Sequence, residues 1–334
     1  MSAVTTSPII IGLSAVILAV TEDAPYVVVT RDAPGALTGL PFGPFDPAGD
    51  RTLELSLRHW VSEQTGFDIG YVEQLYTFGD RGREAPLAHI RDGGPDRVIS
   101  ISYLALTPSR AELERARARW RDWYDFFPWE DWRGGRPRVI DAEIAPRLKA
   151  WAKAAEEKEI AVQRRARARL AFALDGAVWN EERALERYEL LYEAGLAPEA
   201  ARDRTRFDGE RADEIATTPL APGLGEPMVS DHRRILATAM GRLRAKIKYR
   251  PVVFELAPDK FTLLQLQRLV EAIAGLTLHK QNFRRLLDRT GLVEGTGEMN
   301  ASAGGRPAEL FRCRREVLSE RPIGGVHVPA PRGE

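Results

Sequence analysis

Thr262–Gly291 reads TLLQLQRLVEAIAGLTLHKQNFRRLLDRTG. Thr262 and Gln265 have the spacing of a capping box, a Thr at N-cap with a Gln three residues on. The helix they open runs to Ala274 and stops at Gly275. A tight turn through Leu276 and Thr277 leads to a second helix, His279–Thr290, closed by Gly291. Helix, short Gly-containing turn, helix is the helix-turn-helix pattern. At about 100° per residue the second helix has two unlike faces. Phe283, Leu286 and Leu287 cluster on one; Gln281, Arg284, Arg285 and Asp288 lie opposite, flanked by Lys280 and Asn282. Arg bridges guanine O6/N7 and Asn or Gln bridges adenine N6/N7, so this face suits base edges and phosphates. His279 projects near the apolar side and reads as packing. Downstream, Leu292–Gly297 and Ala308–Arg312 read as a β-hairpin that adds a wing. Its turn, Gly304–Gly305–Arg306–Pro307, offers Arg306 to a phosphate or the minor groove.

Upstream, Ser230 reads as the N-cap of a helix to about Lys248, with Asp231 in its first turn and a basic second half: Arg242, Arg244, Lys246 and Lys248. Cations near a helix C-terminus are favoured by the dipole, so that cluster alone says nothing about DNA. The 334 residues have zero formal net charge, but Ser230–Glu334 holds 19 basic and 11 acidic residues, a net of +8. The first 229 residues carry the balancing −8. Such asymmetry suggests a basic end that touches a polyanion. The composition, 44% hydrophobic and 29% charged, excludes disordered, collagen-like and coiled-coil classes. One cysteine, Cys313, excludes a disulfide framework or a cysteine-rich zinc site and suits a reducing, cytoplasmic setting.

At the other end, Pro8–Val20 (PIIIGLSAVILAV) resembles the apolar core of a signal peptide, but the first basic residue is Arg31 and the run is too short to span a bilayer. Ile9–Thr21 and Tyr26–Arg31 read instead as two buried strands joined by a turn. A Gly/Pro-rich loop, 32–50, precedes a helix over Thr52–Thr65 with Leu53, Leu57, Trp60 and Val61 on one face, capped by Thr52 and Gly66. Strands follow at Gly70–Phe78 and Arg97–Leu106. This order predicts an α/β sandwich on a mixed sheet. Ala111–Trp132 holds four of the seven tryptophans and reads as a packed corner rather than a base-stacking platform. Residues 134–227 are Ala/Glu/Arg-rich, with helical stretches near Asp141–Leu174 and Glu181–Ala194, and Asn180 as an N-cap. Arg164–Arg169 reads as a solvated helix face, and Phe207–Pro227 as a linker.

Gly43–Phe67 resembles a Nudix box, G-x5-E-x7-R-E-U-x-E-E-x-G-U. Matched back from Gly66, His59 stands where Arg belongs, Trp60 replaces the first Glu of the R-E-U run, Glu63 matches, and Gln64 replaces the last Glu. Two residues are inserted between Gly43 and Gly66, and without them the earlier Glu falls on Arg51. The box's glutamates hold divalent metals that neutralise a pyrophosphate and activate water. Gln is a weak neutral ligand and Trp cannot bind a hard cation. The expectation is a non-enzyme that binds no metal and has no catalytic residue.

A degenerate Nudix domain joined to a C-terminal winged helix resembles the Nudix-related transcriptional regulators of NAD metabolism, the NrtR family. The stretches that carry the resemblance are LPFG at 40–43, VEQLYTFGD at 72–80, RVISISYLAL at 97–106, SDHRRIL at 230–236, KQNFRRLL at 280–287 and GRPA at 305–308. Within the family the chain looks most like the alphaproteobacterial NadQ-type repressors of NAD biosynthesis. The insertion at 134–227 departs from the general pattern.

The resemblance implies an α/β fold: a Nudix-like α/β/α sandwich (1–133), a helical insertion and linker (134–227), and a winged helix-turn-helix (228–334). It implies a homodimeric repressor of NAD biosynthesis genes on near-palindromic double-stranded operator DNA, with no membrane partner. It implies no required cofactor but an adenine-nucleotide effector: ATP, NAD or ADP-ribose. Lys280, Gln281, Asn282, Arg284, Arg285 and Arg306 are the expected DNA contacts. A pyrophosphate held without metal needs cations, and Arg31, Arg81, Arg83 and Arg97 lie at strand ends or in the charged loop near such a pocket. Phe78 and Tyr103 are the candidates to stack on adenine or ribose. Two other classes compete: an active Nudix pyrophosphatase with a nucleic-acid-binding appendage, and a constitutive architectural or RNA-binding protein indifferent to nucleotides.

Overall fold

The computed structural model describes residues 9–31, 33–80, 82–83, 97–113, 115, 117–208, 223–249, 251–300 and 307–314. β1 (Ile9–Thr21) is the spine of a six-stranded sheet. Leu13 through Ala19 are buried on both faces, which explains the unbroken apolar run. β1 pairs in parallel with β5 (Arg97–Leu106) over the whole length of β5, from Ile9 to Leu18. On its other edge it pairs antiparallel with β3 (Phe42–Pro44) and, further on, with β2 (Ala24–Thr30). β4 (Tyr71–Phe78) flanks β5, and β6 (Ala118–Asp122) flanks β2, both antiparallel. The sheet is mixed, as the sequence predicts. β3 and β6 are additions, cut from the Gly/Pro-rich loop and the aromatic stretch.

One face receives α1 (Leu53–Thr65) through Leu57 and Val61. Thr52 Oγ1 accepts from Leu55 N, and Gly66 closes the helix at φ 69°. The opposite face, with Val16, Leu18, Val27 and Leu104, is covered by a helical layer that shares its core. That layer holds α2 (Ala145–Lys153), α3 (Lys158–Ala171), α4 (Ala184–Glu193), α5 (Pro198–Asp208) and α6 (His232–Tyr249). Helices on both faces give the expected α/β/α sandwich. The 141–174 stretch is interrupted: a π-helical turn, Ile140–Ile144, starts it, and a break at 154–157 separates α2 from α3. The N-cap expected of Ser230 is not made. Its φ is 45°, its hydroxyl has no hydrogen-bond partner among the described residues, and Asp231 O accepts the first helical bond, from Ile235 N. Of the linker expected over 207–227, residues 207–208 end α5 instead, residues 209–222 lie outside the described ones, and Leu224 is buried in the core.

The aromatic stretch is a packed corner. Trp123 and Trp129 are fully buried. Between them and the winged helix sits Glu130, itself fully buried. Arg187 of α4 pairs with it at 2.5 Å through Nε and 2.8 Å through Nη2, and Arg244 of α6 at 2.5 Å. Burial works against a charged Glu130, but the two guanidinium groups outweigh it and hold the carboxyl below the usual range. Arg187 also lies 3.8 Å from the centre of the Trp179 ring.

The same network fixes the C-terminal unit. α7 (Leu263–Ala274) ends where Arg244 Nε donates to Ile273 O, Tyr124 Oη donates to Ala272 O, and Trp132 N donates to Gly275 O. Gly275 has φ 69°, and a Cβ there would lie 2.3 Å from Glu130 O, so only glycine fits. α8 (Lys280–Thr290) and the hairpin β7 (Val293–Asn300) and β8 (Ala308–Cys313) complete a winged helix. Phe261 and Phe311 exchange both backbone bonds, which adds a third short edge to the wing. Among the described residues no helix is long and apolar enough to cross a membrane.

Removing one member of a buried ion network strands its partners. Glu130→Gln is expected to lower unfolding free energy by about 3–5 kcal/mol in urea denaturation, against a few tenths for an exposed pair such as Arg58–Glu54.

Candidate nucleic-acid interface and ligand cleft

α8 buries Phe283 and Leu287 and turns Lys280, Gln281, Asn282, Arg284, Arg285 and Arg289 to solvent. None of these six forms an ion pair among the described residues. The turn before α8 is locked: Glu271 Oε1 accepts from Leu278 N (2.7 Å) and from Gln267 Nε2 (2.9 Å). The α7 capping box forms as the sequence predicts. His279 does not pack as the sequence suggested: it is exposed as the α8 N-cap residue, without a side-chain cap bond. Arg306 lies outside the described residues. A rigidly seated helix therefore presents unspent cations and amides on one face, which is what base-edge readout requires.

The basic half of α6 is placed differently. Arg244 is in the buried network, Lys246 pairs with Glu73 of β4, and Lys248 with Glu181 and Glu182. Arg233 and Arg234 pair with Glu199 and Glu189. Part of the charge asymmetry is thus answered inside the molecule, by the acidic N-terminal part.

A cleft of about 460 Å³ opens between the ends of β2, β3 and α1. Arg31, Arg115 and Arg117 line it with Thr30, Phe42 and Gln64, and Glu63 is its one carboxylate. None of the three arginines forms an ion pair among the described residues, and Arg31 Nε is enclosed without a hydrogen-bond partner there. Arg119 next to them is held below its usual pKa by burial and then by the charges of Arg31 and Arg121. The site is an electropositive recess open to an anion.

α1 forms one wall, and two of its replaced box positions, Trp60 and Gln64, have taken structural work. Gln64 clamps the β3 backbone at both ends, Oε1 accepting from Phe42 N (3.1 Å) and Nε2 donating to Phe42 O (2.6 Å). Trp60 Nε1 donates to Pro44 O (2.8 Å) and its ring covers Gly43, where a Cβ would fall 2.1 Å from the indole. Glu63 is exposed, 3.8 Å from His59. Glu54 is engaged by Arg58. Among the described residues no group of three His, Cys, Asp or Glu is arranged to hold a metal.

Of the ligand residues expected from the sequence, Arg31 is in this cleft. Arg81 lies outside the described residues, and Arg97 is the first residue of β5, in register with Ile9. Arg83 is elsewhere and occupied: it is buried between Glu189 and Asp231, with its guanidinium 3.7 Å from the Tyr192 ring centre. Burial opposes its charge, but Asp231 and Glu189 raise its pKa above the usual value. Phe78 is buried on the helical-layer face beneath Arg234, and Tyr103 on the α1 face. The two rings lie on opposite faces of the sheet and cannot stack on one base. Arg115 and Arg117 escaped the sequence reading. They precede β6, a strand whose pairing with β2 alone brings them beside Arg31.

Comparison with known proteins matches residues 253–313 to the NrtR DNA-binding winged helix domain. The C-terminal unit is an NrtR-type winged helix. The "ADPR responsive transcriptional repressor NtrR" of Acinetobacter baylyi is 42% identical over 82 residues. That match spans 25% of this chain and about a third (32%) of the relative's length. The crystal structure of Shewanella oneidensis NrtR complexed with a 27mer DNA superposes with TM-score 0.54 at 18% identity, over 95% of this chain and 98% of that one. A second Shewanella oneidensis NrtR structure gives 0.52 at 18%, over 92% and 96%. These likenesses show the fold of sandwich plus winged helix.

α6 joins the cleft to the NrtR-type unit. His232, at its start, is fully buried; its Nδ1 accepts from Leu40 N at 2.9 Å, and Phe42 of the cleft packs edge-on against its ring at 5.0 Å. Burial, and then the charge of Arg202, lowers its pKa to about 3. The unfolded chain takes up that proton near 6.5 and the native protein does not, so this residue's contribution to stability is present above pH 6.5 and is lost as pH falls toward about 3. At pH 5 the His232 imidazole is expected to remain neutral in nitrogen-15 NMR, and a protonated ring at that pH would contradict this reading.

Proposed function

We propose that the chain is a nucleotide-responsive transcriptional repressor of NAD biosynthesis genes, reading operator DNA through α8 and the wing. The observation that carries the reading is the α8 face: Lys280, Gln281, Asn282, Arg284 and Arg285 exposed together on a winged helix of NrtR type. Arg306 of the wing is assigned a backbone or minor-groove contact. A helix-turn-helix monomer covers one half-site, so a palindromic operator calls for a homodimer.

The effector site is the Arg31–Arg115–Arg117 cleft, and its occupant an adenine nucleotide with a pyrophosphate. ADP-ribose is the favoured member, supported by the name of the Acinetobacter relative. Three cations without carboxylate partners take the role that metals play in a hydrolytic Nudix site. The protein is not an enzyme in this account, because Trp60 and Gln64 occupy the metal-ligand positions and are spent on the β3 backbone. Ligand seated against Phe42 acts on His232 and hence on α6. Coupling requires that it bind the DNA-competent and DNA-incompetent states unequally.

The test is fluorescence anisotropy of a labelled duplex from upstream of an NAD-biosynthesis operon, against a scrambled duplex at matched salt. Preference for the operator that shifts with ADP-ribose supports the reading. Equal binding to both duplexes under every nucleotide contradicts it, as does magnesium-dependent hydrolysis of ADP-ribose. Arg284→Ala or Arg285→Ala should weaken operator binding by about 1–3 kcal/mol with little effect on the scrambled duplex. Arg31→Ala combined with Arg117→Ala should leave operator affinity without ligand unchanged and abolish the response to ADP-ribose.

A further inference from the structure

The helical insertion carries a second recess that the repressor reading does not use. A cleft of about 670 Å³ lies between α2, α3 and the turn after α3, within the size range of small-molecule sites. Its floor is apolar, with Leu148 and Ala168 buried in the core and Pro146 and Leu174 beside them. Four cations line it: Arg136, Lys149, Arg165 and Arg169. Arg136 is neutralised by Asp141 at 2.9 Å and donates to Phe172 O and Ala173 O, so it closes one end of the recess.

The other three are unspent. Lys149, Arg165 and Arg169 are exposed and form no ion pair among the described residues. Arg165 and Arg169 stand four apart on one face of α3, a like-charge spacing that costs helix stability unless an anion offsets it. The neighbouring cations of the same helix are treated differently: Arg164 lies 4.3 Å from the Trp151 ring centre, and Arg167 pairs with Glu193 at 2.5 Å. α3 thus engages Arg164 and Arg167 and leaves Arg165 and Arg169, in the cleft, open. Asp175 is the second carboxylate of the lining. It and Ala173 hold left-handed φ values of 49° and 50°, strained for side-chain-bearing residues. With Arg136 and Asp141 paired, the three open cations against Asp175 leave two positive charges uncompensated.

We propose that this cleft is a second effector site, for a small organic phosphate that carries two negative charges and an apolar body. The phosphate sits between Lys149, Arg165 and Arg169, and the body lies on Leu148 and Leu174. A concave, apolar-floored recess does not fit the backbone of duplex DNA, which is convex and wholly polar. The site shares no lining residue with the Arg31 cleft and stands whether or not that cleft takes ADP-ribose.

Phenyl phosphate is the probe, titrated calorimetrically into the full chain, with inorganic phosphate and a random duplex as comparators. The background is Arg31→Ala/Arg117→Ala, which removes the other anion-binding cleft. Phenyl phosphate is expected to bind this background, more tightly than inorganic phosphate does. Adding Arg165→Ala/Arg169→Ala should weaken it by about tenfold or more, the loss expected for two charge-assisted contacts. Arg165 and Arg169 are exposed, and unchanged circular dichroism checks the fold of every variant. Absence of binding in the background, or binding indifferent to Arg165 and Arg169, overturns the proposal. So does a result in which the second pair of substitutions weakens the random duplex and leaves phenyl phosphate untouched; the surface is then a nucleic-acid patch.

Discussion

Glu130 is the constraint from which the rest of the architecture can be read. A carboxylate sealed from water is tolerated only because Arg187 and Arg244 reach it from two different helices. Neither guanidinium stops there. Arg187 also donates to the carbonyls of Ala171 and Asn180, and Arg244 to those of Ile273, Glu181 and Glu130 itself. One buried charge thus sets the positions of the aromatic corner, the insertion and the end of α7 at once. An apolar replacement of similar volume would save desolvation cost, but it would not specify which carbonyls lie against which helix. The network's return is geometric, and its beneficiary is the turn that aims α8.

The same logic explains the division of charge along the chain. A basic C-terminal part and an acidic N-terminal part invite a nucleic-acid reading of every cation. The structure separates two populations. Apart from the exposed Arg242, the cations of α6 are bound to carboxylates from the aromatic corner, β4, α4, α5 and the segment before α4, and they bring the chain's halves together. Those of α8 have no such partners among the described residues. A cation held by a buried or half-buried carboxylate has little left for phosphate, whereas one on an open helix face keeps its full potential for counterion release. Position against the acidic half, not the local sequence, distinguishes them.

Much of this was legible in the sequence wherever the cause was local. The strand Arg97–Leu106, the caps at Thr52, Gly66, Thr262 and Gly275, and the two faces of α8 all follow from periodicity and capping over a few residues. What was not legible depended on long-range register. Arg83 looked like a ligand residue because its partner Glu189 lies 106 positions away. Phe78 and Tyr103 were both candidates to stack on adenine or ribose, and it took the β4–β5 pairing to show them on opposite faces of the sheet. Arg115 and Arg117 sat in an unremarkable charged run until β6 closed the sheet. The box substitutions at Trp60 and Gln64 were visible as losses; that they became clamps on β3 was not.

The central claim is that occupancy of the Arg31 cleft and occupancy of the α8 face are coupled through one protein. Linkage makes that claim quantitative, because the factor by which ADP-ribose changes operator affinity must equal the factor by which operator changes ADP-ribose affinity. The measurement is therefore ADP-ribose binding to the full chain by calorimetry, with and without saturating operator duplex, set beside operator binding with and without saturating ADP-ribose. The account predicts two changes of equal size, clearly different from one. ADP-ribose bound with the same affinity in the presence and absence of operator would contradict it.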